Sequence, residues 1–394
     1  MRNDADMIYT STFIRMAVSY FFMASSFGAF FLLPLFIVGH GGSKADTGIL
    51  MGAFGLSSVL CRPWTSDMID RIGRKKSYTL GSIIMVVLPL AYLPFEGELR
   101  AFYLPLLLVR IVHGVGLAVL FTAAFTYVSD IIPDDRLNEG IGMFGVTGLT
   151  GTALGPALEE LVIREFGFPA GFLFAALLAA AGFVVQIPLP ESYVRKVEST
   201  RKAFFLVLRA RRTMIIAMVA LLFGLGISAA NTFVAPYAKE KQIVFISLFF
   251  LCSSATAILT RVLGGKLADR LGEERIIPSA LLVAGTGFIL LLFLRSLPTL
   301  ALAGILIGYG HGFLFPCIIA LSLRNQPAEI RGKVTGVSTG AMDAGILAGS
   351  VMLGYIGEWG GFQALFLTTA LVLFAGYGAC NWAWRRRESV EQRA

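Results

Sequence analysis

Asp70-Arg71-Ile72-Gly73-Arg74-Lys75-Lys76 lies between two long apolar runs. It returns 199 residues later as Asp269-Arg270-Leu271-Gly272-Glu273-Glu274-Arg275. The match extends upstream, since Arg62 and Arg261 each stand eight residues before their Asp. A charged turn repeated half a chain apart, each time between hydrophobic segments, predicts two related halves packed in a membrane.

Composition agrees. The chain is 56% hydrophobic and 15% charged, against about 25% charged for a soluble domain. Twelve apolar runs are each long enough to cross a ~30 Å hydrocarbon core. They cover 12–38, 47–68, 77–95, 102–128, 139–163, 170–188, 213–238, 243–267, 276–295, 299–323, 334–357 and 363–384. Runs so continuously apolar are helices, because barrel strands alternate over about ten residues. The expected fold is an all-α membrane protein of twelve spans in two pseudo-symmetric six-helix bundles. The first run is too long for a signal-peptide core and is expected to remain as span 1. Cys61, Cys252, Cys317 and Cys380 are scattered within spans, so neither a disulfide framework nor a metal site is expected.

The net charge of +8 follows the membrane rather than nucleic acid. With both termini inside, the outer loops hold six of the 33 Lys and Arg: Lys44, Arg100, Arg164, Lys239, Lys241 and Arg295. The inner segments carry Arg71, Arg74, Lys75 and Lys76, seven more between Arg195 and Arg212, and Arg385 to Arg387. This positive-inside bias predicts a multi-pass protein of the cytoplasmic (inner) membrane with both termini cytoplasmic. Residues 189–212, opened by Pro188 and Pro190 and rich in basic residues, divide bundle 1–188 from bundle 213–394. Ala203-Phe204-Phe205-Leu206-Val207-Leu208-Arg209 reads either as an amphipathic helix on the anionic leaflet or as a linker that only fixes topology.

The halves share a second signature. Gly142, Gly151, Gly155 and Pro156 follow G-x8-G-x3-G-P in span 5, and Gly336, Gly345 and Gly349 repeat the glycine spacing in span 11. Gly151 and Gly155 share a helical face and let another helix come close. The stripes are either tight packing or an interface on which the halves rock.

These motifs resemble the major facilitator superfamily over essentially the whole chain. The Asp70 turn is similar to its signature between spans 2 and 3, with Ser66 where Gly is usual. Arg110-x2-His113-Gly114-x-Gly116 is similar to the span-4 motif, with His where Gln is frequent. The span-5 glycines resemble the motif of the proton-antiporter, drug-efflux branch, with Glu159-Glu160 replacing a Gly-Gly pair. The resemblance implies that Asp70, Arg74 and Asp130 form a charge-relay cluster at the cytoplasmic gate; Arg71 belongs to the same turn, and Gly73 permits its sharp bend. It also implies that Asp70 meets the start of span 11 in the outward-open state.

Ionisable groups at membrane depth are functional candidates by default. Arg110 and His113 share a face of span 4, and His113 lies roughly 16 Å deep at 1.5 Å per residue. His311-Gly312 is its near-equivalent in span 10. Either His is a titrating group or a neutral ring bonded to a carbonyl. Asp343 reads as the only carboxylate buried mid-span and is the leading proton-coupling candidate, with a fixed pair inside the bundle as the alternative. Glu159 is a further candidate, with at least one of Glu159 and Glu160 expected at the solvated interface. Arg62 and Arg261 read as gate or packing residues. Asn231, with Ser228, is a candidate substrate hydrogen bonder, and Tyr20, Phe27 and Phe31 are candidate cavity walls.

The halves also exchange charge. Arg74 and Glu273 each follow their Asp by four residues, while Asp130 ends span 4 and Arg324 ends span 10. This predicts pairs Arg74–Asp130 and Glu273–Arg324, with Asp269 and Arg270 completing the second turn. The expected function is a secondary transporter of a small organic molecule, proton-coupled and exporting, with uptake or facilitated diffusion as the alternative. No P-loop supports ATP drive, and no clustered catalytic side chains support a membrane enzyme. The expected partners are the lipid bilayer and the substrate, with no nucleic acid. The chain is expected to act as a monomer, without a cofactor, on the proton gradient.

Overall fold

The computed structural model describes residues 8–133, 136–192, 211–323 and 328–391. Arg324 and the proposed amphipathic segment 203–209 lie outside them, as do the side chains of Asp70, Asp269 and Arg270. The described residues are helices joined by short turns. The helices are α1 (Ser11–Ala29), α2 (Leu33–Gly39), α3 (Lys44–Ile72), α4 (Arg74–Leu90), α5 (Leu99–Ile131) and α6 (Leu137–Gln186). They continue as α7 (Arg211–Glu240), α8 (Leu248–Leu271), α9 (Glu273–Leu291), α10 (Leu297–Leu323) and α11 (Ala328–Glu391).

A 3-10 turn, Phe30–Leu32, joins α1 to α2 into one span. The 50-residue α6 and 64-residue α11 are each far longer than the bilayer core, since about 20 residues cross it. Each breaks once, at Gly167 (φ 80°) and Gly361 (φ 75°). Glycine alone takes that backbone cheaply. The two breaks turn α6 into spans 5 and 6 and α11 into spans 11 and 12, which gives the twelve spans read from the sequence.

The chain divides into two compact units. The first joins Met1–Gly42 and Ala53–Val197, and the second joins Ser43–Gly52 and Glu198–Ala394. The first turns of α3 thus group with the second unit rather than with 1–188. There Gly48 comes against the Ser350 carbonyl, and Lys44 N–H donates to Glu358 Oε2 at 3.0 Å.

Lipid tails are as apolar as leucine, so close backbone approach and hydrogen bonds hold helices together in a membrane. In the first unit a Cβ on Gly151 would lie 2.6 Å from the Phe21 carbonyl, and one on Gly155 would strike the Ser25 carbonyl of α1. Opposite them, a Cβ on Gly28 would lie 2.8 Å from Thr152 Cα. In the second unit Gly345 meets the Leu221 carbonyl of α7, and Gly224 meets Met342. Ser228 and Ser350 hydroxyls share a hydrogen bond of 2.8 Å beside this crossing.

The rocking interface is therefore corrected for these stripes. Gly151, Gly155, Gly345 and Gly349 pack within their own units, because a neighbouring backbone already fills the space beside them. Gly142 and Gly336 face open space.

Candidate functional site

The repeated turns are built alike. Gly73 (φ 105°) and Gly272 (φ 82°) separate α3 from α4 and α8 from α9. Arg74 Nε donates to Asp130 Oδ2 at 3.0 Å, and its Nη1 donates to the Ile69 carbonyl at 3.2 Å. The Arg74 and Asp130 side chains are only 3% and 9% exposed, so the predicted pair is present and is largely buried. Glu273 is likewise buried.

An unforeseen residue completes the first turn. Glu191, at the start of the linker, accepts from the backbone N–H groups of Arg74 (2.7 Å), Lys75 (3.0 Å) and Lys76 (3.4 Å). Tyr127 O–H donates to the Pro190 carbonyl at 2.9 Å and holds that stretch in place. The first turn of α4 thus closes on the linker.

Inside the first unit, Arg110 and His113 occupy one face of α5 as their spacing requires. The Arg110 guanidinium lies 4.6 Å over the Phe54 ring of α3. The Tyr92 hydroxyl meets His113 Nδ1 at 3.2 Å. The partner of His113 is thus a tyrosine and not a carbonyl. His113 has no exposed surface, and its Nε2 has no hydrogen-bond partner. Phe30 and Phe54 stand edge-on to its ring at 4.7 and 5.6 Å.

The carboxylates depart from expectation. Glu159 and Glu160 are 2% and 5% exposed and Asp343 is 7% exposed, so Asp343 is not the only buried one, and neither glutamate is at a solvated interface. Glu159 packs against span 6, where a Cβ added at Gly171 would lie 3.0 Å from its Oε1. Glu159 Oε2 has no hydrogen-bond partner.

The aromatic candidates divide. Tyr20 is buried, stacked on Phe144 at 4.6 Å, and belongs to the packed core rather than a cavity wall. Phe31 is buried beside Phe27, and Phe27 is half-buried and stacked on Phe54 at 5.5 Å. Ser228 is occupied by Ser350, and Asn231 of α7 is half-buried and faces a cavity.

In the second unit a small cavity of about 40 Å³ is lined by Asn231, Ser253 and His311 among apolar neighbours that include Phe223 and Phe288. Arg261 is half-buried, its guanidinium 5.3 Å over the Phe315 ring of α10. This contact agrees with a packing role for Arg261.

Comparison with known proteins places these features. The family model described as Major Facilitator Superfamily matches residues 16–294 and, overlapping them, 241–394. The chain is 27% identical over 382 residues to multidrug resistance protein MdtG of Salmonella dublin and of Salmonella typhimurium, covering 91% of this chain and 92% of each relative. Its fold is similar to the nucleoside transporter NupG, with TM-score 0.80 and 14% identity over 94% of this chain and 99% of that one. It is also similar to the human organic anion transporter MFSD10, with TM-score 0.71 and 18% identity over 94% and 98%.

Proposed function

The chain belongs to the Major Facilitator Superfamily, and we propose that it exports small organic molecules of more than one kind across the cytoplasmic membrane in exchange for protons. It is a membrane transporter and not an enzyme. The observation that carries the export reading is similarity over nine-tenths of the chain to proteins named for multidrug resistance. The span-5 glycine stripe, closely packed on α1, is in keeping with it. The structures of similar fold are under 25% identical and speak for the fold alone.

In this reading both termini are cytoplasmic, the chain works as a monomer, and the proton gradient supplies the energy without a bound cofactor. The Arg74–Asp130 turn acts as a cytoplasmic gate, with Asp70, Arg71 and Gly73 beside it and Asp269, Arg270, Glu273 and Arg324 as its counterpart. Glu159 and Asp343 are the proton-coupling carboxylates, one in each unit. Glu159 has the better geometric support, since a carboxylate sealed from water with an unmet oxygen can take and release a proton there. Asn231 is a substrate contact.

The test uses the full chain in proteoliposomes with rhodamine 6G and tetraphenylphosphonium as probes. An imposed pH gradient should drive each probe against the direction of proton flow. Flux indifferent to the gradient removes proton coupling. Flux in the same direction as protons replaces export with uptake. Separately, a cysteine at residue 390 that reacts with an impermeant thiol reagent from the periplasm would overturn the orientation.

A further inference from the structure

A small cavity lies wholly inside the second unit, among α7, α8, α9, α10 and the second half of α11. Three polar side chains from three helices line it: Asn231 of α7, Ser253 of α8 and His311 of α10. Each is half-buried, and none of the three side chains is hydrogen-bonded to another described residue. The rest of the wall is apolar and includes Phe223, Phe288 and Leu373. In the first unit the corresponding ring, His113, meets a tyrosine hydroxyl instead.

Size decides what fits. The cavity holds about 40 Å³. A water needs about 10–15 Å³ and a benzene ring about 150 Å³, so the space takes water and no aromatic body. Chemistry decides whether it is wet. Cavities that stay dry are apolar, and a held water needs two to four polar partners. Here the partners are an amide, a hydroxyl and an imidazole. Together they both donate and accept, whichever imidazole nitrogen carries the proton. No carboxylate lines the cavity to balance a cation. Polar groups inside a bundle cost free energy when left without partners, and water supplies them.

We infer that Asn231, Ser253 and His311 form a water-binding site that ties α7, α8 and α10 together inside the second unit. A bridging water holds nearly as well as a direct hydrogen bond, at a modest entropic cost. It takes the place that a direct tyrosine contact has in the first unit. The site is independent of the export reading. A cargo atom that reached Asn231 there would first have to displace the water.

X-ray hydroxyl-radical footprinting of the full protein in nanodiscs tests this, because radicals born on a bound water oxidise the side chains beside it. Phe223, Phe288, Phe144 and Phe172 are all buried, but only the first two line the cavity. Those two should be oxidised severalfold faster than Phe144 and Phe172. Equal rates would mean that no water is held there and would overturn the inference. The double variant Asn231→Ala with Ser253→Ala enlarges the space and leaves His311 as the one polar partner, fewer than a held water needs. The rates at Phe223 and Phe288 should then fall to those of Phe144 and Phe172. Rates unchanged or raised in the folded double variant would show solvent entering without being held, and would equally overturn the site. Should the double variant not fold, the comparison of rings within the unaltered protein still decides.

Discussion

Two helices begin after the same glycine turn and solve the same electrostatic problem differently. A helix N-terminus carries roughly half a positive charge and favours acidic residues. In the second unit α9 opens with its own acids, Glu273 and Glu274. In the first unit α4 opens with Arg74, Lys75 and Lys76, charges of the wrong sign, and Glu191 arrives from the linker to accept from all three backbone N–H groups. The basic residues serve topology, and the imported carboxylate offsets their cost to the helix. Related halves thus conserve the position of a charge while changing which segment supplies it.

The span-4 and span-10 histidines repeat the lesson. Arg110 of α5 covers Phe54 of α3, beside His113 of α5. Arg261 of α8 covers Phe315 of α10, beside His311 of α10. The same three residue types recur on the corresponding helix pair with arginine and phenylalanine exchanged between helices. Tyr92 seals the first ring, whereas the second lines a cavity with Asn231.

The sharpest way to break the comparison is at the crossings both halves share. A Cβ at Gly155 would strike the Ser25 backbone, and one at Gly345 the Leu221 backbone. Overpacking usually costs ~1–3 kcal/mol when side chains can yield, and here the obstacle is main chain. Gly155→Val and Gly345→Val should each abolish recovery of folded protein. Gly142→Ala and Gly336→Ala, which meet nothing within 4 Å, should leave it unchanged in size-exclusion and thermal-shift assays. If the former two fold as well as the latter, the intra-unit packing is misassigned.

Next in size is the gate pair. Removing one member of a buried ion pair costs ~3–5 kcal/mol. Arg74→Asp should lower thermal stability by many degrees and stop flux, and adding Asp130→Arg should restore part of both. Restoration is partial because Arg74 also serves the Ile69 carbonyl. A double variant no better than the worse single one would refute direct pairing.

The carboxylates then ask which half carries the proton. Glu159→Gln and Asp343→Asn keep size and remove charge change. We expect Glu159→Gln to cut gradient-driven flux about tenfold, ~1.4 kcal/mol, with normal expression and retained downhill exchange. An unchanged flux and pH dependence in Glu159→Gln, with loss in Asp343→Asn, would move coupling to the second unit.

The spans and the two glycine signatures are legible because they rest on run length and spacing, both local properties. The Arg74–Asp130 pair was legible because charge exchange between the halves is written in the sequence. Its burial was not, since that depends on helices packed around it. Tyr92 lies in the turn after α4 and no spacing marks it. Glu191 looked like the beginning of a linker. Burial of Glu159 depends on span 6 folding back against it at Gly171, which hydropathy does not register.

The smallest effect tests the helix-start comparison most directly. Glu191→Gln retains an acceptor oxygen and loses the charge facing the N-terminus of α4. A lost cap or dipole interaction of this kind is worth ~1 kcal/mol, so the melting temperature should fall by a few degrees. If the first unit imports an acid only because α4 lacks one, giving α4 its own should compensate. Lys75→Glu makes the start of α4 resemble that of α9, at the loss of the Lys75 Nζ bond to the Ile187 carbonyl. In the Glu191→Gln background it should raise the melting temperature. In the unaltered protein, with Glu191 still in place, it should lower it, because two carboxylates would then crowd one helix end. Equal shifts in both backgrounds would show that Glu191 and the first turn of α4 do not act on one another.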